Sequence, residues 1–233
     1  MISFVVPAYN EEKYLPATLD AIHAAARALG VEYEIVVSDD ASTDATPAIA
    51  RALGARVTTQ ENRQIAATRN AGAKAATGDI LIFVDADTLV NEALVAEAVA
   101  ALRAGAVGGG ARVRLEPSSP GWARAFMVLF NILYFGIARF AAGCFVFCTR
   151  AAFEAAGGFD EAYYAGEEML LSRALRRGGR FVILRNYVTS SSRKLDHHTP
   201  AEMFWIFAKL AAGGPAALRK RGPRTAFWYP DKR

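Results

Sequence analysis

Four short strand-like runs, Ile2–Val6, Glu34–Val37, Arg56–Thr59 and Ile80–Val84, alternate with segments of helical spacing, and this alternation constrains the chain more than any other feature. The intervening helices are Glu12–Leu29, with Leu15, Leu19, Ile22 and Ala26 on one face, then Asp44–Leu53, then the alanine-rich Ile65–Ala76 closed by Thr77-Gly78. Near-continuous apolar strands separated by helices specify a mostly parallel α/β sheet covered on both faces. Ligands of such sheets collect at the carboxyl ends of the strands. Function is therefore sought in the residues just beyond each run.

Three of those ends are polar. The first strand leads into Pro7-Ala8-Tyr9-Asn10-Glu11-Glu12, the second into Ser38-Asp39-Asp40-Ala41-Ser42-Thr43-Asp44, and the fourth into Asp85-Ala86-Asp87. If these strands are parallel neighbours, the three loops converge on one crevice. A tyrosine ring there can cover a nucleobase, and a carboxylate can accept from a base N–H. A pair of aspartates can hold a hard divalent cation, which takes further oxygens from water and substrate phosphate. Each piece alone has a plainer reading: a turn with a helix N-cap for Asp39–Asp44, a packing residue for Tyr9, a solvated turn for Asp85 and Asp87. Their order and spacing together favour the site.

Downstream, Glu92–Ala104 reads as a helix capped by Asn91. Glycine-rich Gly105–Gly110 leads into a strand, Ala111–Glu116, and Pro117–Gly121 marks a break. Further strands are expected at Cys144–Thr149 and Phe181–Leu184, with helices at Arg150–Ala156 and Glu167–Arg177 and another from Pro200. No internal repeat is visible. The 233 residues, 53% hydrophobic and 21% charged, exclude a disordered chain and suffice for one domain over 1–212, in halves 1–110 and 111–212, with a basic tail at 213–233.

Met1–Gly110 holds 8 basic and 14 acidic residues, a net of −6; the remainder holds 19 and 9, a net of +10. The acidic half suits metal chemistry. The basic half, ending in Arg219-Lys220-Arg221 and Lys232-Arg233, suits a phospholipid or phosphorylated acceptor better than nucleic acid. A nucleic-acid module ranks lowest, because the aromatics lie in an apolar segment and are not interleaved with the basic tail. Cys144 and Cys148, on one face of a strand roughly 13 Å apart at about 3.3 Å per residue, are too far apart to bridge. The start lacks a basic leader and a long apolar run, so no signal peptide is read. A reducing, cytoplasmic compartment is expected.

The successive motifs resemble those of the family 2 glycosyltransferases. These are Pro7-Ala8-Tyr9-Asn10-Glu11, Asp39-Asp40-Ala41-Ser42-Thr43-Asp44, Arg69-Asn70-Ala71-Gly72 with Gly78-Asp79, Asp85-Ala86-Asp87, Gly157-Gly158-Phe159-Asp160-Glu161 and Gly166-Glu167-Glu168. The similarity spans about residues 2 to 185. It implies a GT-A fold with a mixed acceptor-side half, a UDP- or GDP-linked sugar donor, a divalent cation (Mn²⁺ or Mg²⁺) and inversion at the anomeric carbon. It places Pro7, Ala8, Tyr9 and Glu11 in the nucleoside pocket, Asp40 on the base and Arg63 toward the ribose or phosphates. Asp85, with Ala86 beside it, would contact ribose or metal-bound water, and Asp87 would ligate the metal.

The chain departs from the family pattern at the base, where Glu167-Glu168 stands for the usual Glu-Asp. The resemblance assigns proton abstraction from the acceptor to Glu168, with Glu167 as substitute. Alternatively the pair only starts a helix, where acidic residues favour the dipole, and the chain binds nucleotide-sugar without transferring it. GT-A enzymes often take a third metal ligand from a C-terminal loop, and His197 or its neighbour His198 is placed for that, a solvated pair being the other reading. No Gln-x-x-Arg-Trp motif is present, which favours transfer of a single sugar. Ala125–Ala138, 14 residues with Asn131 inside, is too short to span a bilayer of about 20 residues. It is either a helix buried in the acceptor half or against a second copy, or an interfacial helix that meets the inner face of a membrane and a lipid-linked acceptor.

Overall fold

The computed structural model describes residues 1–117, 119–191 and 218–219. His197, His198, the helix expected from Pro200 and most of the basic tail lie outside the described residues. The chain runs β1 (Ile2–Ala8), α1 (Leu15–Ala28), β2 (Tyr33–Asp39), α2 (Thr46–Ala52), β3 (Arg56–Thr59), α3 (Ile65–Ala75) and β4 (Ile80–Val84). It continues through β5 (Thr88–Leu89), α4 (Glu92–Arg103), β6 (Ala106–Leu115), α5 (Gly121–Phe130) and a π-helix at Asn131–Ile137. The last elements among the described residues are β7 (Phe145–Thr149), α6 (Arg150–Ala155), α7 (Glu167–Gly178) and β8 (Arg180–Ser190).

The eight strands among the described residues form one mixed sheet in the order β3-β2-β1-β4-β7-β6-β8-β5. The first half is parallel, β1 pairing with both β2 and β4, and β2 with β3. The second half is mixed: β7 runs antiparallel to β4 and β6, and β8 parallel to β6. β4 and β5 are joined only by Asp85-Ala86-Asp87, yet stand four places apart in the sheet. In a flat sheet four strand spacings would span about 19 Å, while the chain from Val84 to Thr88 reaches at most about 14 Å. The sheet must curl, and the Asp-x-Asp segment spans the mouth of that curl.

Side-chain alternation along β1 sends Phe4 and Val6 to the face covered by α1 and α4, and Val5 to the face covered by α3, α6 and α7. The alanine-rich composition of α3 follows from its close approach to the sheet: a Cβ at Gly72 would come within 2.5 Å of the Val5 side chain. Asn91 caps α4 as expected, accepting from the Leu94 N–H at 2.9 Å.

The structure corrects the sequence reading in four places. Gly108–Gly110 is no linker but the middle of β6, where a Cβ at Gly110 would meet the Ala141 Cβ at 2.5 Å and one at Gly109 would strike the Val182 carbonyl. The last strand is eleven residues long because it pairs along nearly all of β6. The two-residue β5 is too short to leave a periodic signal in the sequence. The Ala125–Ala138 segment is neither one α-helix nor buried all round: α5 passes into the π-helix at Asn131, and its outer side is exposed. Asn131 is the cause of the attachment, its side chain donating to the Val113 and Met127 carbonyls and accepting from the Val113 N–H.

Candidate active site

The loops after β1 and β2 are stitched into one wall. Asn10 N–H donates to Ser42 Oγ at 2.9 Å, Thr43 N–H to the Asn10 side chain at 2.8 Å, and Glu11 N–H to Thr46 Oγ1 at 2.7 Å. Asn10, Ala41 and Arg63 all adopt positive φ (54°, 57° and 49°), so the loops after β1, β2 and β3 each carry a strained non-glycine residue. Such strain gathers where a site is held in a required shape. Pro7 contributes as well. Ile2 N–H and the Ala8 carbonyl both bond on the β2 side, so alternation turns the Pro7 nitrogen toward β4, where pairing has already ended at Val5–Phe83. A residue without N–H thus sits where the ladder no longer asks for one.

Asp40 is buried, and its carboxylate accepts four hydrogen bonds: the N–H groups of Asn62, Arg63 and Gln64 at 2.7, 2.9 and 3.1 Å, and Thr68 Oγ1 at 3.1 Å. It therefore organises the entry to α3. The Arg63 guanidinium it positions lies 5.7 Å from the Tyr9 ring centroid, so Tyr9 and Arg63 face each other across the loop ends. Glu11 is buried beneath them, and Pro7 and Ala8 close the end of β1.

Asp85, Ala86 and Asp87 directly succeed β4. The Ala86 carbonyl accepts from Thr18 at 2.8 Å and the Asp87 carbonyl from the Ser191 N–H at 3.2 Å, which fixes the backbone that presents the two carboxylates. Arg69, fully buried on α3, donates to Asp85 Oδ1 at 2.8 Å, to the Gly143 carbonyl at 3.0 Å and to Glu167 Oε1. Burial works against its charge, but Asp85 and Glu167 outweigh that and hold the guanidinium firmly protonated. One arginine thus joins the Asp-x-Asp segment to the first residue of α7.

Glu168 is the next residue of that helix. Burial, and then the neighbouring Glu167, push its carboxyl well above the usual range; its own N–H, Arg69 and the Tyr134 hydroxyl act the other way. Tyr134, from the π-helix, donates to Glu168 Oε1 at 3.1 Å and lies 3.2 Å from the Ala141 carbonyl. Asn70 and Gln64, also on or before α3, bind the Phe159–Tyr163 turn that leads into α7. The structure therefore brings Asp85, Glu167 and Glu168 into one connected group, and Tyr9, Glu11, Arg63 and Asp40 into another on the same sheet edge.

The sequence reading assigned no role to Arg69, Tyr134 or Asn70. A charged residue on the otherwise small, buried face of α3 was a signal for Arg69. Tyr134 gave none, because it lies in an apolar run and reaches the site only through the π-helical register.

Two carboxylates on adjacent alternate residues offer hard oxygen donors, which fit Mg²⁺ or Mn²⁺ completed by water and phosphate. Among the described residues no group of three His, Cys, Asp or Glu side chains is arranged to hold a metal, so a site enclosed by these residues alone is not formed.

A mixed, curled sheet whose parallel half ends in these loops defines a GT-A fold. The mannosyltransferase PcManGT from Pyrobaculum calidifontis, solved with GDP-Man and Mn²⁺, superposes with a TM-score of 0.67 at 22% identity over 97% of this chain and 66% of that one. TarS 1-349 from S. aureus, solved with UDP-GlcNAc, gives 0.64 at 21% identity over 82% of this chain and 58% of that one. A sequence model of glycosyl transferase family 2 matches residues 3–156, and the chain belongs to that family. Its curated relatives include the undecaprenyl-phosphate 4-deoxy-4-formamido-L-arabinose transferase of Pseudomonas paraeruginosa, 37% identical over 37% of this chain and 28% of the relative. The validoxylamine A glucosyltransferase of Streptomyces hygroscopicus subsp. jinggangensis is 35% identical over 43% of this chain and 25% of the relative. The matches thus span only about a quarter of those relatives' lengths.

Proposed function

We propose that this chain transfers one sugar from a nucleoside-diphosphate donor to an acceptor hydroxyl, with inversion at the anomeric carbon. The observation that carries the proposal is the Arg69 bridge, which ties Asp85 at the donor edge to Glu167 beside the candidate base. In one displacement the acceptor oxygen bonds the anomeric carbon and the bond to the diphosphate oxygen breaks. The acceptor proton passes to Glu168, and the electron pair leaves on the diphosphate. A base whose affinity for protons has been raised takes that proton more readily. Pro7, Ala8, Tyr9 and Glu11 enclose the nucleoside. Asp40 serves base recognition through the loop it holds, and Arg63 reaches the ribose or phosphates.

Asp87, with Asp85, is the place for a divalent cation, which when bound would neutralise charge on the diphosphate; His197 is the candidate third ligand. The donor is UDP- or GDP-linked, and the acceptor a sugar or lipid-linked molecule.

Thermal unfolding with UDP, GDP, CDP or dTDP, each with and without Mn²⁺, tests the donor half of this reading. Stabilisation by one diphosphate, dependent on metal and lost in Asp87→Ala, is expected. No response to any nucleotide overturns it. Metal-dependent binding without transfer or slow donor hydrolysis would leave a nucleotide-sugar-binding protein instead, a reading that the glutamate at the base position keeps in view.

A further inference from the structure

We propose that the outer face of α5 and the π-helix docks this protein onto the surface of an anionic lipid bilayer. Val128, Leu129, Ile132, Leu133 and Ile137 are 51–72% exposed, and their spacing places them on one side of the continuous helix. The opposite side is fully used: Asn131 is clamped to Val113, Phe135 is buried, and Phe130 packs edge-on against Phe135. Met127, Phe130 and Tyr134 pack against the core, whereas the five outward residues do not join it. Contiguous exposed apolar surface of this kind marks an interaction site.

The charge around it selects the partner. Between Gly105 and Thr149 the chain carries Arg112, Arg114, Arg124 and Arg139 against a single acidic residue, Glu116. Among the described residues none of the four arginines is in an ion pair. Arg112, Arg114 and Arg124 line a groove of about 500 Å³ between β6 and the helix, whose walls include Val113, Met127 and Ile132. A two-fold contact would bring a second set of these arginines to the same face, with only Glu116 of each copy to offset them. A bilayer with anionic headgroups offers phosphates to the guanidinium forks while the apolar side chains enter the headgroup boundary.

No helix among the described residues is long and apolar enough to cross a membrane, so this one lies in the interface plane. Leu133 and Tyr134 are consecutive, the first outward and the second on Glu168, so the docking surface and the candidate base share one turn. The inference does not rest on the transfer reaction proposed above.

Flotation of the full chain with vesicles of phosphatidylcholine, with or without phosphatidylglycerol, at low and high salt, tests it. Binding is expected only to the anionic vesicles, and to weaken with salt. Ile132→Asp combined with Ile137→Asp should lower partitioning by more than about tenfold, and Arg112→Gln or Arg114→Gln by about fivefold each. All four positions are exposed and outside the nucleotide pocket, so metal-dependent stabilisation by nucleoside diphosphate stays unchanged in these variants. That control separates this inference from the fate of the proposed reaction. Absence of flotation with anionic vesicles overturns the proposal. Flotation of the apolar double variant equal to the unaltered chain also overturns it, placing any lipid contact elsewhere. Loss of a dimer in that variant, without change in flotation, overturns it in favour of self-association.

Discussion

The Tyr134 hydroxyl lies 3.1 Å from Glu168 Oε1 and 3.2 Å from the Ala141 carbonyl, with one proton to give to two acceptors. When Glu168 is ionised, the phenol O–H donates to its carboxylate; when Glu168 is protonated, the phenol can accept from it and donate to Ala141. The contact thus stabilises the charged form of the candidate base. Burial and the adjacent Glu168 keep the phenol itself protonated. In Tyr134→Phe the Glu168 carboxyl should move up by about one further unit, the loss of one hydrogen bond to a charged group. The check is the pH dependence of donor turnover: the rising limb shifts to higher pH while the plateau rate changes little. A purely structural role for Tyr134 would lower the rate at every pH alike.

The unsubstituted chain has its own pH signature. Burial and Glu167 raise the Glu168 carboxyl to about 8, so it is mostly protonated at neutral pH. A general base must be ionised, so kcat/KM should climb tenfold per pH unit through neutrality and level off above about 8. Stability runs the other way. An acid whose folded-state value is raised contributes fully below its unfolded value near 4.3, and that contribution is lost as pH rises through the folded value. Glu168→Gln should abolish transfer, leave nucleotide binding intact, and unfold at a higher temperature than the unaltered chain above pH 8. Scanning calorimetry at pH 6 and pH 9 measures the crossover.

Arg69 joins three parts of the site, and its removal should be costly in a way that its neighbours' is not. Arg69→Met leaves Glu167 buried with a carboxylate and no counter-ion, and frees Asp85 from the bridge. Breaking one side of a buried ion pair typically costs about 3–5 kcal/mol. Arg69→Lys keeps the charge but loses the planar fork that reaches Asp85, Gly143 and Glu167 together, so it should recover only part of that loss. Urea unfolding of both variants gives the comparison.

Strands β1, β2 and β4 and the helices around them were legible because their apolar residues recur at the period of a buried sheet or a one-sided helix. The polar ends of those strands pointed to the site for the same reason: topology forces neighbouring parallel strands to deliver their loops to one edge. Elements fixed by close approach were not legible. Gly108–Gly110 looks like a linker until Phe147, Val182 and Ala141 are packed against it, and β5 exists only because β8 curls back to meet it. The same holds within the site. The Arg69 bridge joins residues 16 and 98 positions apart, and no local pattern records such a contact. Tyr134 depends on a π-helical register that an apolar stretch does not announce.

At the opposite end of the sheet, Glu34 supports the fold without touching the site. Its carboxylate accepts from Ser3 Oγ at 2.6 Å, from the Thr77 N–H and hydroxyl at 2.5 and 2.8 Å, and from Arg56 at 2.6 Å. These bonds tie β1, β2, β3 and the turn before β4 together. Burial alone would raise the carboxyl, but the donors outweigh it and hold it down at about 2. Lowered below an unfolded value near 4.3, the group contributes stability above that pH and loses it as pH falls toward 2. Because the side chain is partly open to solvent, the contribution is screened, and Glu34→Gln should cost about 1–2 kcal/mol at pH 7. The difference should shrink steadily between pH 4 and pH 2 in urea unfolding curves. Metal-dependent nucleotide stabilisation should survive the substitution, since the parallel strands keep their order and only the edge remote from the loops is loosened. A variant that lost nucleotide binding along with stability would show that the two ends of the sheet are coupled.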